Sequence, residues 1–144
     1  MGNLEQSIKN LAREIGFDVV GITTAEPFPR DEQAAVERID QGMMDGLHWY
    51  TKERVRKANR PGGLLEGARS IISVAMSYNT GDPRPGEPGP TGKIARYAWG
   101  DDYHTLMKER LRRLVDGLSA RVGHAVQSRI FVDDGPMNDR AAAE

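Results

Sequence analysis

Cysteine is missing from all 144 residues. That excludes disulfides, a thiol nucleophile and a Cys-ligated cluster within these residues, and it fits a cytosolic setting. Long apolar runs are missing too: none approaches the roughly 20 residues of a membrane span. Residues 1–13 are polar and mixed in charge, with no apolar stretch of the secretory kind, so no signal peptide is expected. Neither sign of charge dominates, the net being −1. Any nucleic-acid contact therefore needs a local basic patch on a neutral body. The familiar motifs G-x-x-x-x-G-K-[ST], G-x-G-x-x-G after a strand, H-E-x-x-H and G-x-S-x-G do not occur. Their absence removes the commonest nucleotide-binding and hydrolase readings and leaves cofactors that are held by shape.

What is present is an ordinary globular balance, 38% hydrophobic and 28% charged residues, in a chain long enough for one domain with a core. Leu4, Ile8, Leu11 and Ile15 recur at helical spacing and predict an amphipathic first helix ended by Gly16. Residues 17–23 read as a short strand. Pro27 and Pro29 break it, and Asp31 is expected to cap a second helix to about Gln41. Short helical pieces are expected over residues 42–60. Residues 70–78 form the best strand, apolar enough to predict burial on both faces. Four prolines and four glycines crowd residues 80–92, a loop signal. Ile94–Trp99 reads as a second buried or half-buried segment. Asp101 or Asp102 then caps a long helix carrying Leu106, Leu111, Leu114, Val115 and Leu118 on one face. Residues 125–132 read as a final strand, Gly135-Pro136 as a turn, and the chain from Met137 as helical. The expected fold class is α/β (α+β): one mixed sheet flanked by helices. The last residues, 139–144, have high helix propensity and no stop signal, so the chain is expected to be a fragment.

Two segments concentrate polar chemistry. Arg96-Tyr97-Ala98-Trp99-Gly100-Asp101-Asp102-Tyr103-His104 lies at an extended-to-helix junction, where unpaired helical N–H groups can face a ligand. Capping and ordinary packing account for the same residues. Phe131-Val132-Asp133-Asp134-Gly135-Pro136-Met137-Asn138-Asp139-Arg140 places two carboxylates at the end of an expected strand, where ligands of α/β sheets sit. A carboxylate partly desolvated beside a ligand can serve as a proton donor. Arg140, seven residues after Asp133, could face the same site. A plain turn fits these residues equally well. The basic run Lys52, Arg54, Arg56, Lys57 and Arg60 could meet phosphates, or form a solvated face. No metal-ligating set is read.

At these segments the chain resembles the epoxyqueuosine reductase family. The likeness rests on residues 16–23, residues 65–78, the stretch Arg96–His104 and the stretch Val132–Glu144. It covers essentially the whole chain. The resemblance implies a cobalamin-binding domain of the epoxyqueuosine reductase and reductive dehalogenase type, spanning residues 1–144 as the N-terminal part of a longer cytoplasmic enzyme. That enzyme would reduce epoxyqueuosine to queuosine at the wobble position of tRNA, with base-off cobalamin and 4Fe–4S clusters. The resemblance makes Asp133 the proton donor near the cobalt. It makes Asp102, Tyr103, His104 and Arg140 the substrate pocket, and Arg56, Arg96 and Asp133 the cofactor contacts. The cluster ligands have no counterpart here, so an electron donor would act through an iron–sulfur domain outside these residues. Two other readings stand beside it: a non-catalytic cobalamin or tetrapyrrole module, and a structural domain whose partner covers its open face.

Overall fold

The computed structural model describes residues 2–79, 81 and 92–144. The loop expected over residues 80–92 lies almost entirely outside the described residues.

Helix α1 (Gly2–Ile15) turns one face inward, burying Ile8, Ala12 and Ile15, while Leu4 stays exposed. Gly16 follows at φ +108°, a left-handed exit that suits glycine. Strand β1 (Val19–Thr24) pairs antiparallel with β2 (Ser70–Ala75), with Val20 opposite Val74 and Ile22 opposite Ile72. Helix α1 and the long helix α5 (Tyr103–Val122) pack on the face carrying Val20, Ile22, Ile72 and Val74. Phe17 and Leu114 complete that core. On the opposite face Ser73 Oγ donates to the Ala142 carbonyl at 3.0 Å, tying down the short helix α6 (Asp139–Ala143). Between the strands run α2 (Pro29–Asp40), α3 (Lys52–Ala58) and α4 (Pro61–Leu64).

The class is mixed α+β, as expected, but the sheet differs. Among the described residues it has two strands and is wholly antiparallel. β2 is only partly buried, its ends Ser70 and Ala75 exposed and the residues between them intermediate, although α6 meets its second face at Ser73. Residues 125–132 form no strand. They pair with neither strand of the sheet, and β-propensity is realised only in context. Instead, the Arg129 guanidinium donates to the Leu64 carbonyl at 2.7 Å and lies over the Phe131 ring.

Two further expectations change. Helix α2 begins at Pro29 after Phe28, with no side-chain cap. Proline at the first helical position has no N–H to satisfy, so Asp31 falls in the first turn, where it complements the helix dipole. Ile94–Trp99 is a surface segment: Ile94 is 69% exposed, and Arg96–Ala98 form one 3-10 turn. The segment closes on itself, Trp99 Nε1 donating to the Ile94 carbonyl at 2.9 Å.

Candidate active site

The two polar segments meet at the N-terminus of α5. Asp102 caps that helix, its Oδ1 accepting the His104 backbone N–H at 2.9 Å. The same oxygen lies 2.7 Å from His104 Nδ1. The other ring nitrogen, Nε2, lies 2.7 Å from Asp133 Oδ1. The Tyr103 hydroxyl donates to the second Asp133 oxygen, Oδ2. The Tyr103 and His104 rings stack with centroids 4.2 Å apart. Tyr97 meets Tyr103 edge-on at 6.3 Å, and Tyr78 meets Tyr97 at 6.4 Å.

Asp133 stands at the tip of a tight turn. The Asp134 N–H donates to the Val132 carbonyl at 2.5 Å, closing a three-residue turn around Asp133. Its φ is +43°, the one positive value at a non-glycine among the described residues. A γ-turn with positive φ is the rare, strained form. Such strain costs on the order of 1–3 kcal/mol and persists only where surrounding contacts hold it. Those contacts are visible. Gly135 sits so close to the Phe131 ring that a β-carbon there would fall inside it. Asn138 Nδ2 donates to the Asn59 Oδ1 at 2.8 Å, and its backbone N–H to the Ala58 carbonyl at 3.0 Å. Lys108, one turn beyond His104 on α5, pairs with Asp134 Oδ2.

The electrostatics follow from these contacts. Hydrogen bonds to Asp102, then to Asp133, raise the His104 pKa. An imidazolium with both N–H groups donating satisfies both carboxylates. The bond to Asp133 pushes the Tyr103 phenol up to about 12, further into its protonated, donating form. The His104 backbone N–H, with its ring, lowers Asp102. Lys108 lowers Asp134. Burial raises Asp139, reinforced by the negative charges of Asp133 and Asp134.

Of the residues singled out in the sequence, Asp102, Tyr103, His104 and Asp133 converge. The Asp133 side chain is 59% exposed, however, so it lacks the desolvation expected of it. Arg96 borders the group: it hydrogen-bonds Asn79 and lies over Trp99, beside Tyr97. Arg140 does not join. Its side chain is 91% exposed and reaches toward Glu144. The seven-residue spacing from Asp133 presumed a helix, whereas residues 133–138 are a turn. Arg56 lines a separate open groove with Pro27, Pro29, Glu32 and Arg60. Lys108 and Asp139 were not foreseen as members. Lys108 was legible as the i+4 neighbour of His104 on one helical face. Asp139 lies in the second polar segment, but its spacing gave it no role there, because only the turn returns it to Asp133. No group of three or more metal-ligating side chains is found among the described residues.

Comparison with known proteins bears directly on this geometry. The family described as "Epoxyqueuosine reductase QueG, DUF1730" matches residues 59–134, a span holding β2, the whole of α5 and the Asp133 turn. The chain belongs to the epoxyqueuosine reductase family. An epoxyqueuosine reductase of Leadbetterella byssophila is 33% identical over 144 residues, covering 100% of this chain and 46% of that protein. A crystal structure of epoxyqueuosine reductase with an epoxyqueuosine-modified tRNA-Tyr stem loop matches with TM-score 0.78 and 29% identity, over 99% of this chain and 37% of that one. The enzyme of Bacillus subtilis, solved with an aspartate-bearing catalytic loop swung out of the active site, matches with TM-score 0.71 and 27% identity, over 99% of this chain and 37% of that one. The chain thus spans less than half the length of these relatives.

Proposed function

We propose that this chain forms the proton-delivering part of an epoxyqueuosine reductase acting on tRNA. One observation carries the reading: Asp133, on a strained turn, accepts from Tyr103 and His104 at the edge of an open aromatic face. Opening an epoxide leaves an alkoxide that must take up a proton. His104 stores that proton between two carboxylates, and Asp133 passes it to the substrate oxygen. Asp102 orients the imidazole and favours its charged form. Tyr103 keeps the second Asp133 oxygen in place. A relative crystallised with a modified tRNA stem loop supports tRNA as the substrate, and with it a cytoplasmic setting.

The face beside the cluster suits a large, flat cofactor. Tyr78, Ile94, Tyr97 and Trp99 are all exposed, and the Tyr78–Tyr97–Tyr103 series runs along it. These residues fit a cobalamin, with Arg96 and Asp133 as polar contacts. Cobalamin, when bound, supplies the electrons of the reduction. An electron donor would be needed besides, since these residues carry no cysteine to ligate an iron–sulfur cluster. Arg56 and Arg140 take no part in this arrangement.

The test is Asp133→Asn in the full-length enzyme, assayed on an epoxyqueuosine-containing stem loop. Reduction is expected to be abolished, with the circular dichroism spectrum and melting curve unchanged. Turnover at the wild-type rate would remove Asp133 from the mechanism.

A further inference from the structure

The geometry points to Lys108 as a positioning residue, whose ion pair with Asp134 fixes the turn that presents Asp133. This rests on the reading of Asp133 as the proton donor.

Asp133 and Asp134 are consecutive, yet α5 holds them separately. Tyr103 and His104, in its first turn, take Asp133. Lys108, in its second, takes Asp134. Asp134 is also the closing residue of the turn. Its backbone N–H donates to the Val132 carbonyl at 2.5 Å, and its Oδ1 accepts the Val132 backbone N–H at 3.2 Å. Lys108 thus grips the residue that holds the turn shut, through the carboxylate oxygen the turn leaves free. A left-handed aspartate is costly on its own and needs such a brace.

Charge points the same way. Asp133, Asp134 and Asp139 lie close enough for the first two to act on the third. Two basic side chains face them from α5, the Lys108 ammonium and the His104 ring, which is a cation when protonated. With Lys108 on Asp134, His104 is left to Asp133 and Asp102 alone. Without it, Asp134 is free to compete for the imidazolium and draw the turn out of register. The pair is only partly exposed, 34% and 39% for its two side chains, so solvent screens it less than a fully open ion pair.

The experiment uses the full-length enzyme with Lys108→Met, Lys108→Arg, Asp134→Asn and the double variant Lys108→Met/Asp134→Asn. Reduction of a modified stem loop is measured together with amide exchange over residues 132–137. Lys108→Met is expected to lower kcat about tenfold through misplacement of Asp133, with KM for the RNA unchanged and faster exchange in the turn. Lys108→Arg is expected to restore most of the rate, and the double variant to fall no further than either single one, since the two residues act as a unit. Unchanged kcat and exchange in Lys108→Met, alongside an inactive Asp133→Asn enzyme, would overturn the role of Lys108 alone. A fully active Asp133→Asn enzyme would overturn the reading of Asp133 and this role with it.

Discussion

His104 is the residue on which the local charge balance turns. Its two ring nitrogens each lie 2.7 Å from a carboxylate oxygen, and both contacts favour the imidazolium. The native pKa is therefore raised above the ordinary 6.5. A raised histidine pKa stabilises the fold fully below its unfolded value, and the contribution is lost as pH climbs through the native one. The clamp on the Asp133 turn is thus expected to be complete in mild acid and to loosen on the alkaline side of 6.5. An NMR titration of the His104 ring checks this: the midpoint should lie above 6.5 and fall in Asp102→Asn. A midpoint below that value would contradict the two-carboxylate clamp. Asp102 and Asp134 run the other way. Their lowered pKa values stabilise the fold above the ordinary carboxylate range and cease to do so as pH falls through the native values.

Elements hold the turn from behind through a contact that no motif announces. Asn59, at the C-terminus of α3, is 2% exposed. Its Nδ2 donates to the Val55 carbonyl at 2.8 Å, and its Oδ1 accepts from Asn138 Nδ2. Asn138 in turn caps α6, accepting the Ala141 N–H. One buried amide therefore joins α3 to the segment that follows Asp133. Removing one partner of a buried hydrogen bond leaves the other unsatisfied, at about 1–3 kcal/mol. Asn59→Ala is expected to lose that much in a urea melt, with the fastest gain in amide exchange at α6. A melt within error of wild type would show that α6 is held chiefly by Ser73. Helix α5 draws on both local and distant information. A cap at Asp101 or Asp102 and an apolar stripe were legible; the cap is Asp102, and Leu111, Leu114 and Leu118 do face the core. Leu106, assigned to the same stripe, is exposed.

At the scale of the molecule, the core among the described residues is thin, and a set of aromatic side chains is left exposed. A two-stranded sheet covered by α1 and α5 buries few large side chains. Meanwhile Tyr78, Ile94, Tyr97 and Trp99 remain exposed along the edge that Arg96 borders. Contiguous exposed apolar surface of this kind marks a ligand or partner site. The chain by itself is expected to bind a hydrophobic dye and to associate weakly as its concentration rises, in dye fluorescence and sedimentation. Ile94→Lys should reduce both. A monomer that binds no dye would mean that this face closes on itself in solution. Among the described residues no helix is long and apolar enough to cross a membrane.

The amino-acid sequence by itself determined whatever depends on near neighbours. The absence of cysteine ruled out cluster ligands here. The spacing of Ile8 and Ile15 placed α1, the Asp101-Asp102 pair placed the start of α5 to within a residue, and the two polar segments were visible as dense runs of functional groups. Tertiary structure alone decided how those runs meet. Tyr103 and His104 lie 30 and 29 residues from Asp133, and only the chain's return at a strained turn brings them into hydrogen bonds. The same turn sends Arg140 to solvent and brings Asp139 back, and it sets Asp134 against Lys108. Side-chain direction at a positive-φ residue follows neither the helical nor the strand period, so no spacing rule could have foretold it.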